Sequence, residues 1–142
     1  MFGTLTNRAI FIDSSAAIAL RCPTDQFHSS ASDYFKFTQG VRWVVMNATT
    51  HESYTRLRYK NDLRTALGAY DWLRESPFYK ISFTMEDENK AREILEKYRE
   101  HLLSYHDALC AALMLRIGLY RIFSFDKHFW VLGFQVEPGQ TK

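Results

Sequence analysis

Glycine and proline are scarce in this 142-residue chain, with six Gly and three Pro. So few turn residues argue against collagen-like, low-complexity and turn-dense all-β designs. Cysteine is nearly absent too. Cys22 and Cys110 share no metal-binding or redox spacing, and Cys110, inside an amphipathic run, reads as a core thiol. A disulfide framework is not expected, which suits a reducing, cytoplasmic setting. Long hydrophobic runs are missing. The longest early one, Ala9–Leu20, is interrupted by Asp13 and closed by Arg21. It makes neither a signal-peptide core nor a membrane span, so no membrane association is expected. Finally, neither sign of charge dominates: eighteen Lys+Arg against sixteen Asp+Glu give +2. That balance neither demands nor excludes a nucleic-acid partner, and any useful charge must be local.

Aromatic residues are abundant at 15%, with eleven Phe, eight Tyr and three Trp. A chain this rich in rings collapses around them instead of staying disordered. There is no Gly/Ser linker, no charge block and no internal repeat. Residues 1–142 therefore read as one domain, a length that buries one sizeable core.

Short apolar runs alternate with helical patterns. Strands are expected at Ala9–Ile12, Arg42–Met46, Tyr79–Phe83 and Tyr120–Phe125, with a fifth at an edge over Phe134–Val136. Helices are expected over Ala16–Leu20, Phe27–Thr38, Thr49–Tyr59, Asn61–Arg74, Met85–Glu100 and Ser104–Arg116, the last ended by Gly118. Apolar strands alternating with helices predict an α/β fold: three α/β/α layers around a mainly parallel sheet of four to five strands. Ligand sites in such folds lie outside the carboxyl ends of the strands.

Four acids occupy that end. Asp13 follows strand one and Asp126 follows strand four. Glu52 and Asp107 fall in the first turns of helices. Each has a capping role open to it. Asp13 can cap the first helix, Thr49-x-x-Glu52 has the form of a capping box, Ser104-x-x-Asp107 is a weaker version, and Asp126 can cap a turn through Phe129. Yet Thr49 and Ser104 already offer caps, as do Ser14 and Ser15 beside Asp13. Four converging carboxylates need a counter-ion, because two unit charges about 4 Å apart repel by roughly 4 kcal/mol at an effective dielectric of about 20. Oxygen ligands select hard divalent ions, Mg²⁺ or Mn²⁺, which serve phosphodiester hydrolysis.

Four segments carry a resemblance. Ile10-Phe11-Ile12-Asp13-Ser14-Ser15, Asn47–Glu52, Ser104-Tyr105-His106-Asp107-Ala108 and Phe123-Ser124-Phe125-Asp126-Lys127-His128-Phe129 resemble the ordered motifs of PIN-domain ribonucleases. The likeness is strongest to VapC-type toxins of toxin–antitoxin pairs. It spans Phe11 to about Gly133, and successive acids lie 39, 55 and 19 residues apart. The resemblance implies a metal-dependent endoribonuclease in which Asp13, Glu52, Asp107 and Asp126 hold one or two Mg²⁺ or Mn²⁺ ions, with Asp126 the least direct ligand. Ser14 and Ser124 match hydroxyl positions that support the acids; Ser124 stands where the family more often has Thr. It also implies homodimerisation and a cognate antitoxin. Of His51, His106 and His128, all near the acids, His128 is expected to play a supporting part.

Arg56, Arg58, Lys60 and Arg64 cluster on and after the Glu52 helix. They are candidates for RNA phosphate contacts, and a solvated helix face explains them equally well. A housekeeping RNA-processing nuclease of the same fold and a non-catalytic RNA- or protein-binding module both remain open. A dehalogenase-type phosphatase would want Asp-x-Asp after strand one, where Ser14-Ser15 follows Asp13 instead.

Overall fold

A computed structural model describes residues 8–75 and 77–139. Within these residues five strands run in chain order: β1 (Ala9–Ile12), β2 (Arg42–Met46), β3 (Tyr79–Ile81), β4 (Arg121–Phe123) and β5 (Gln135–Glu137). Every pairing is parallel, and the sheet order is β3-β2-β1-β4-β5. Among the described residues, seven helices surround it: α1 (Ser14–Arg21), α2 (His28–Phe37), α3 (Asn47–Lys60), α4 (Leu63–Leu73), α5 (Met85–Lys97), α6 (Tyr105–Ile117) and α7 (His128–Val131).

The three layers follow from the period-two alternation of strand side chains. Phe11, Val44, Met46 and Ile122 pack on one face with α5, α6 and α7. Ile10, Ile12, Trp43, Val45 and Phe123 pack on the other with α1 and α2. All four β1 residues are fully buried, so the central strand needs an unbroken apolar run. A smaller cluster of Ile18, Cys22, Leu57, Ala66 and Ala69 cements α1, α3 and α4 together. Cys110 is buried in the first core, as its amphipathic setting suggested.

Several boundaries differ from expectation for local reasons. The third strand ends at Ile81, because Thr84 turns the chain into α5 with a full capping box to Asp87. Asn61 does not open α4. It closes α3, and Asp62 accepts from Thr65 N to cap α4. The turn after Asp126 tightens into the short α7. Gly118 ends α6 in the left-handed conformation (φ 80°) that a Cβ would disfavour. Among the described residues, no helix is long and apolar enough to cross a membrane.

The sheet fixes the place of any site. From β1 the chain steps through β2 to β3 on one side, while β4 and β5 lie on the other. The order therefore reverses between β1 and β4, and a crevice opens beyond their carboxyl ends. Asp13 directly follows β1, and Ser124 and Asp126 follow β4.

Candidate active site

Asp13 leaves β1 with its backbone N–H donating to Phe123 O at 3.2 Å, so the adjacent strand holds its position. Its side chain is 2% exposed and caps α1 by accepting from Ala16 N at 3.1 Å. The same Oδ1 accepts from Ser15 Oγ at 2.8 Å, and Oδ2 accepts from Ser124 Oγ at 2.7 Å. The capping role and a site role thus coexist in one residue. Ser124 also accepts from Asp126 N at 2.9 Å, and Ser15 accepts from Phe125 N at 2.9 Å. Two hydroxyls therefore link the ends of β1 and β4.

Above this floor opens a cleft of about 830 Å³, lined in part by Glu52, Asp107, Asp126 and His128. Asp107 faces it from the first turn of α6, where Ser104 caps the helix by accepting from Asp107 N at 3.0 Å. Because Ser104 does the capping, the Asp107 carboxylate is left for the cleft. Asp126 Oδ1 accepts from His128 N at 2.9 Å, so this acid also performs the turn-capping expected of it.

Glu52 arrives differently. The helix begins at Asn47, immediately after β2, with no side-chain cap, so Thr49 and Glu52 form no capping box. Thr49 is buried instead, its Oγ1 2.9 Å from His106 Nε2. Glu52 accepts from Ser14 Oγ at 3.2 Å and lies 3.4 Å from His106 Nδ1. Arg56, one turn on, donates to Ser14 at 3.1 Å and sits 3.9 Å from Glu52.

The electrostatics match a site built for added positive charge. Burial raises the Asp13 pKa above the usual carboxylate range despite its three hydrogen bonds, with Asp107 contributing. Burial also raises that of Asp107, and Asp126 adds to the effect. His106 responds in the opposite sense. Burial disfavours its charged ring, but the surrounding Cys110, Asp107 and Glu52 outweigh this and its pKa is raised.

The donor set fits a divalent cation. Asp107, Asp126 and His128 each offer a ligand atom, all within 4.8 Å of one another. The Nδ1 of His128 is buried without a hydrogen-bond partner, an orphan atom beside two carboxylates. Glu52 flanks this group and Asp13 lies beneath it, both outside the tightest set.

A second groove adjoins the cleft and shares Arg56, Asp126 and His128 with it. Lys60, Lys127 and the stacked Phe27–Phe125 pair (ring centroids 4.6 Å apart) also line it. Arg58 and Arg64 are exposed and line neither. The basic cluster therefore splits, two residues at the site and two away from it.

Sequence reasoning missed three residues that matter here. Ser15 looked like a spare cap, yet it bonds both Asp13 and Phe125. His106 read as an ordinary surface or supporting ring, and only its helical phase beside Asp107, facing Thr49, signals its burial. Lys127 gave no signal beyond its position after Asp126.

The same ordering of segments recurs in known proteins. Residues 10–134 match the model of the PIN domain. No curated protein matches the chain in sequence. Among solved structures, the chain is similar to Mycobacterium tuberculosis VapC20, a toxin that cleaves the sarcin–ricin loop, at 26% identity and a TM-score of 0.83 over 88% of this chain and 95% of that one. It also resembles VapBC2 from Rickettsia felis, solved bound to a DNA fragment from its promoter, at 11% identity and a TM-score of 0.64 over 91% of this chain and 97% of that one. The second likeness concerns the fold alone; the family match takes in all four acids and reaches from β1 through β4 to the residue before β5, and by it the chain belongs to the PIN-domain family.

Proposed function

We propose that this protein is a divalent-metal-dependent endoribonuclease, the VapC-type toxin of a toxin–antitoxin pair, acting in the cytoplasm. One observation carries the reading. Glu52, Asp107 and Asp126, brought from three separate segments, meet in one cleft at the switch point of the sheet, with Asp13 buried beneath them. The resemblance to VapC20 supports the toxin assignment and the RNA substrate.

Asp107, Asp126 and Glu52 would hold the ion, Mg²⁺ or Mn²⁺, and Asp13 would contribute its charge from below. When bound, such an ion lowers the pKa of a coordinated water and neutralises charge developing on the phosphate. The chain supplies positioning. Ser124 and Ser15 fix the Asp13 carboxylate, and Ser14 holds Glu52. Arg56 lies beside Glu52 on the boundary between cleft and groove, where its guanidinium can grip a backbone phosphate bidentately. Lys60 and Lys127 extend that positive path past Asp126.

An antitoxin and a second copy of the chain are the proposed protein partners. Leu63 and Leu67 of α4 are nearly half exposed, and Leu67 with Tyr54 and Tyr70 lines an apolar hollow beside the cleft. Such surface suits protein contacts better than solvent.

The test is cleavage of an RNA panel that includes the sarcin–ricin stem-loop, with and without Mn²⁺ or Mg²⁺. Asp13→Asn and Asp107→Asn proteins are assayed beside the parent. Metal-dependent cutting abolished by both substitutions is expected. Cutting that survives chelation, or both substitutions, would overturn the proposal.

A further inference from the structure

We infer that His128, through Nδ1, is a nitrogen ligand of the divalent ion and biases the site towards Mn²⁺ over Mg²⁺. The inference rests on the metal-nuclease reading and deepens it, since that reading assigns the ion to carboxylates alone.

The ring nitrogen is in an unusual state. His128 Nδ1 lies 3.2 Å from Asp126 Oδ1 and 3.8 Å from Asp107 Oδ2, yet it is buried and makes no hydrogen bond. Buried polar atoms are almost always partnered, so an orphan calls for a reason. Asp126 Oδ1 already accepts from the backbone N–H of His128 at 2.9 Å. The turn thus fixes the ring beside the carboxylates while leaving its nitrogen unused. Donor atoms about 2.1 Å from a shared ion lie about 3.0 Å apart in octahedral and about 3.4 Å apart in tetrahedral geometry. The 3.2 Å separation from Asp126 falls within that spacing, and the 3.8 Å separation from Asp107 lies somewhat beyond it. Among the described residues, no other three potential ligands come as near to one another.

The neighbouring imidazole is placed otherwise. His106 Nε2 meets Thr49 at 2.9 Å and its Nδ1 faces Glu52 at 3.4 Å, so both its nitrogens have partners.

Ion preference follows from donor chemistry. Mg²⁺ is hard, keeps its waters and favours oxygen. Imidazole nitrogen favours transition ions, whose affinity for such sites rises along the series that starts at Mn²⁺. A site of carboxylates alone separates Mn²⁺ from Mg²⁺ weakly, and one imidazole ligand widens the gap.

The experiment measures Mn²⁺ binding by electron paramagnetic resonance, in competition with Mg²⁺, on the parent, His128→Asn and His128→Ala proteins. Metal-free melting curves check that each variant is folded. Asn carries a carbonyl oxygen at the depth of Nδ1, so it exchanges nitrogen for oxygen at that point. Mn²⁺ affinity should fall on the order of tenfold or more in both variants. Mg²⁺ affinity should stay near the parent level in His128→Asn. Nitrogen hyperfine coupling to bound Mn²⁺ should be present in the parent and lost in both variants. Saturable binding with unchanged Mn²⁺/Mg²⁺ selectivity, or nitrogen coupling that persists in His128→Ala, overturns the inference and leaves the nuclease reading standing. Failure of the parent to bind either ion removes both.

Discussion

The Ser124 hydroxyl donates to Asp13 Oδ2 at 2.7 Å and accepts from the backbone N–H of Asp126 at 2.9 Å. One fully buried oxygen therefore joins the acid after β1 to the acid after β4. Ser124→Ala leaves a buried carboxylate oxygen and a backbone N–H each short of a partner. The expected loss is about 1–3 kcal/mol of folding stability, read by urea denaturation. Mn²⁺ affinity should weaken as well, because Asp13 loses its orientation. Ser124→Thr keeps the hydroxyl and should recover most of both. Equal stability and equal Mn²⁺ affinity in the Ala protein would show that the bridge is inert.

The raised pKa values of Asp13 and Asp107 predict how metal and proton compete. Burial is the main cause for both, and a neighbouring carboxylate adds to each. Their folded pKa values lie above the unfolded ones, so the folded state binds these protons more tightly. These two groups therefore favour folding increasingly as pH falls from neutral towards the unfolded carboxylate range. At neutral pH a bound cation should do the same work, adding about 2.7 kcal/mol at a concentration one hundred times its Kd. Asp107→Asn removes one repelling charge and one ligand. The metal-free variant should melt at or above the parent temperature at pH 7 and gain nothing from Mn²⁺. A Mn²⁺-induced shift as large as the parent's would remove Asp107 from the ligand set.

The sequence made the sheet legible because a central parallel strand needs a continuous apolar run, which Ala9–Ile12 and Trp43–Met46 supply. It made Asp13, Asp107 and Asp126 legible because each follows a strand or opens a helix, whereas Glu52, expected in a first turn, lies in the second turn of α3, which starts at Asn47. What it concealed were choices between partners that share a neighbourhood. Thr49 and Glu52 have capping-box spacing, but β2 runs straight into α3, so Thr49 turns inward to His106. Capping and a place at the site also proved not to be exclusive: Asp13 and Asp126 each satisfy a backbone N–H and remain at the site. The split of the basic cluster was hidden because helical phase relative to the cleft depends on how α3 packs. Arg56 lies on the cleft side, whereas Arg58, two residues on, does not.

Asp87 and Arg116 predict a pH effect of the opposite sign. Arg116 donates from Nε and Nη2 to the two Asp87 oxygens at 2.7 and 2.9 Å, fastening α5 to α6 behind the cleft wall. Burial alone would raise the Asp87 pKa, but Arg116 and the Thr84 N–H outweigh it and hold the carboxyl below its usual range. The ionised form is therefore favoured by folding, and the stabilisation is present above the unfolded carboxylate pKa. It is lost as pH falls through the lower folded value. Asp87→Asn should cost about 2 kcal/mol near neutral pH, below the usual figure for a broken buried pair because Arg116 is one-third exposed. Denaturation series at several pH values should show the gap between parent and variant closing in acid. A gap that stays constant down to pH about 2 would mean the ion pair contributes nothing.

The divided basic cluster gives a prediction internal to one helix. Arg56 borders both the acidic cleft and the adjoining groove, whereas Arg58 is exposed away from them. Both carry the same charge, so a general attraction between a basic helix and RNA would make their removal equivalent. A phosphate contact would not, because it requires the guanidinium at the site. Arg56→Ala should weaken RNA binding and lower the slope of log affinity against log salt by about 1. Arg58→Ala and Arg64→Ala should leave that slope unchanged. Arg56 also touches Ser14 and Glu52, so a binding loss could come from a disturbed acid instead of a missing cation. Arg56→Lys separates the two causes, since it keeps the charge and loses the fork that reaches Ser14. Recovery of the salt slope in the Lys protein assigns Arg56 to the phosphate. An identical loss in the Lys and Ala proteins assigns it to the placement of Glu52.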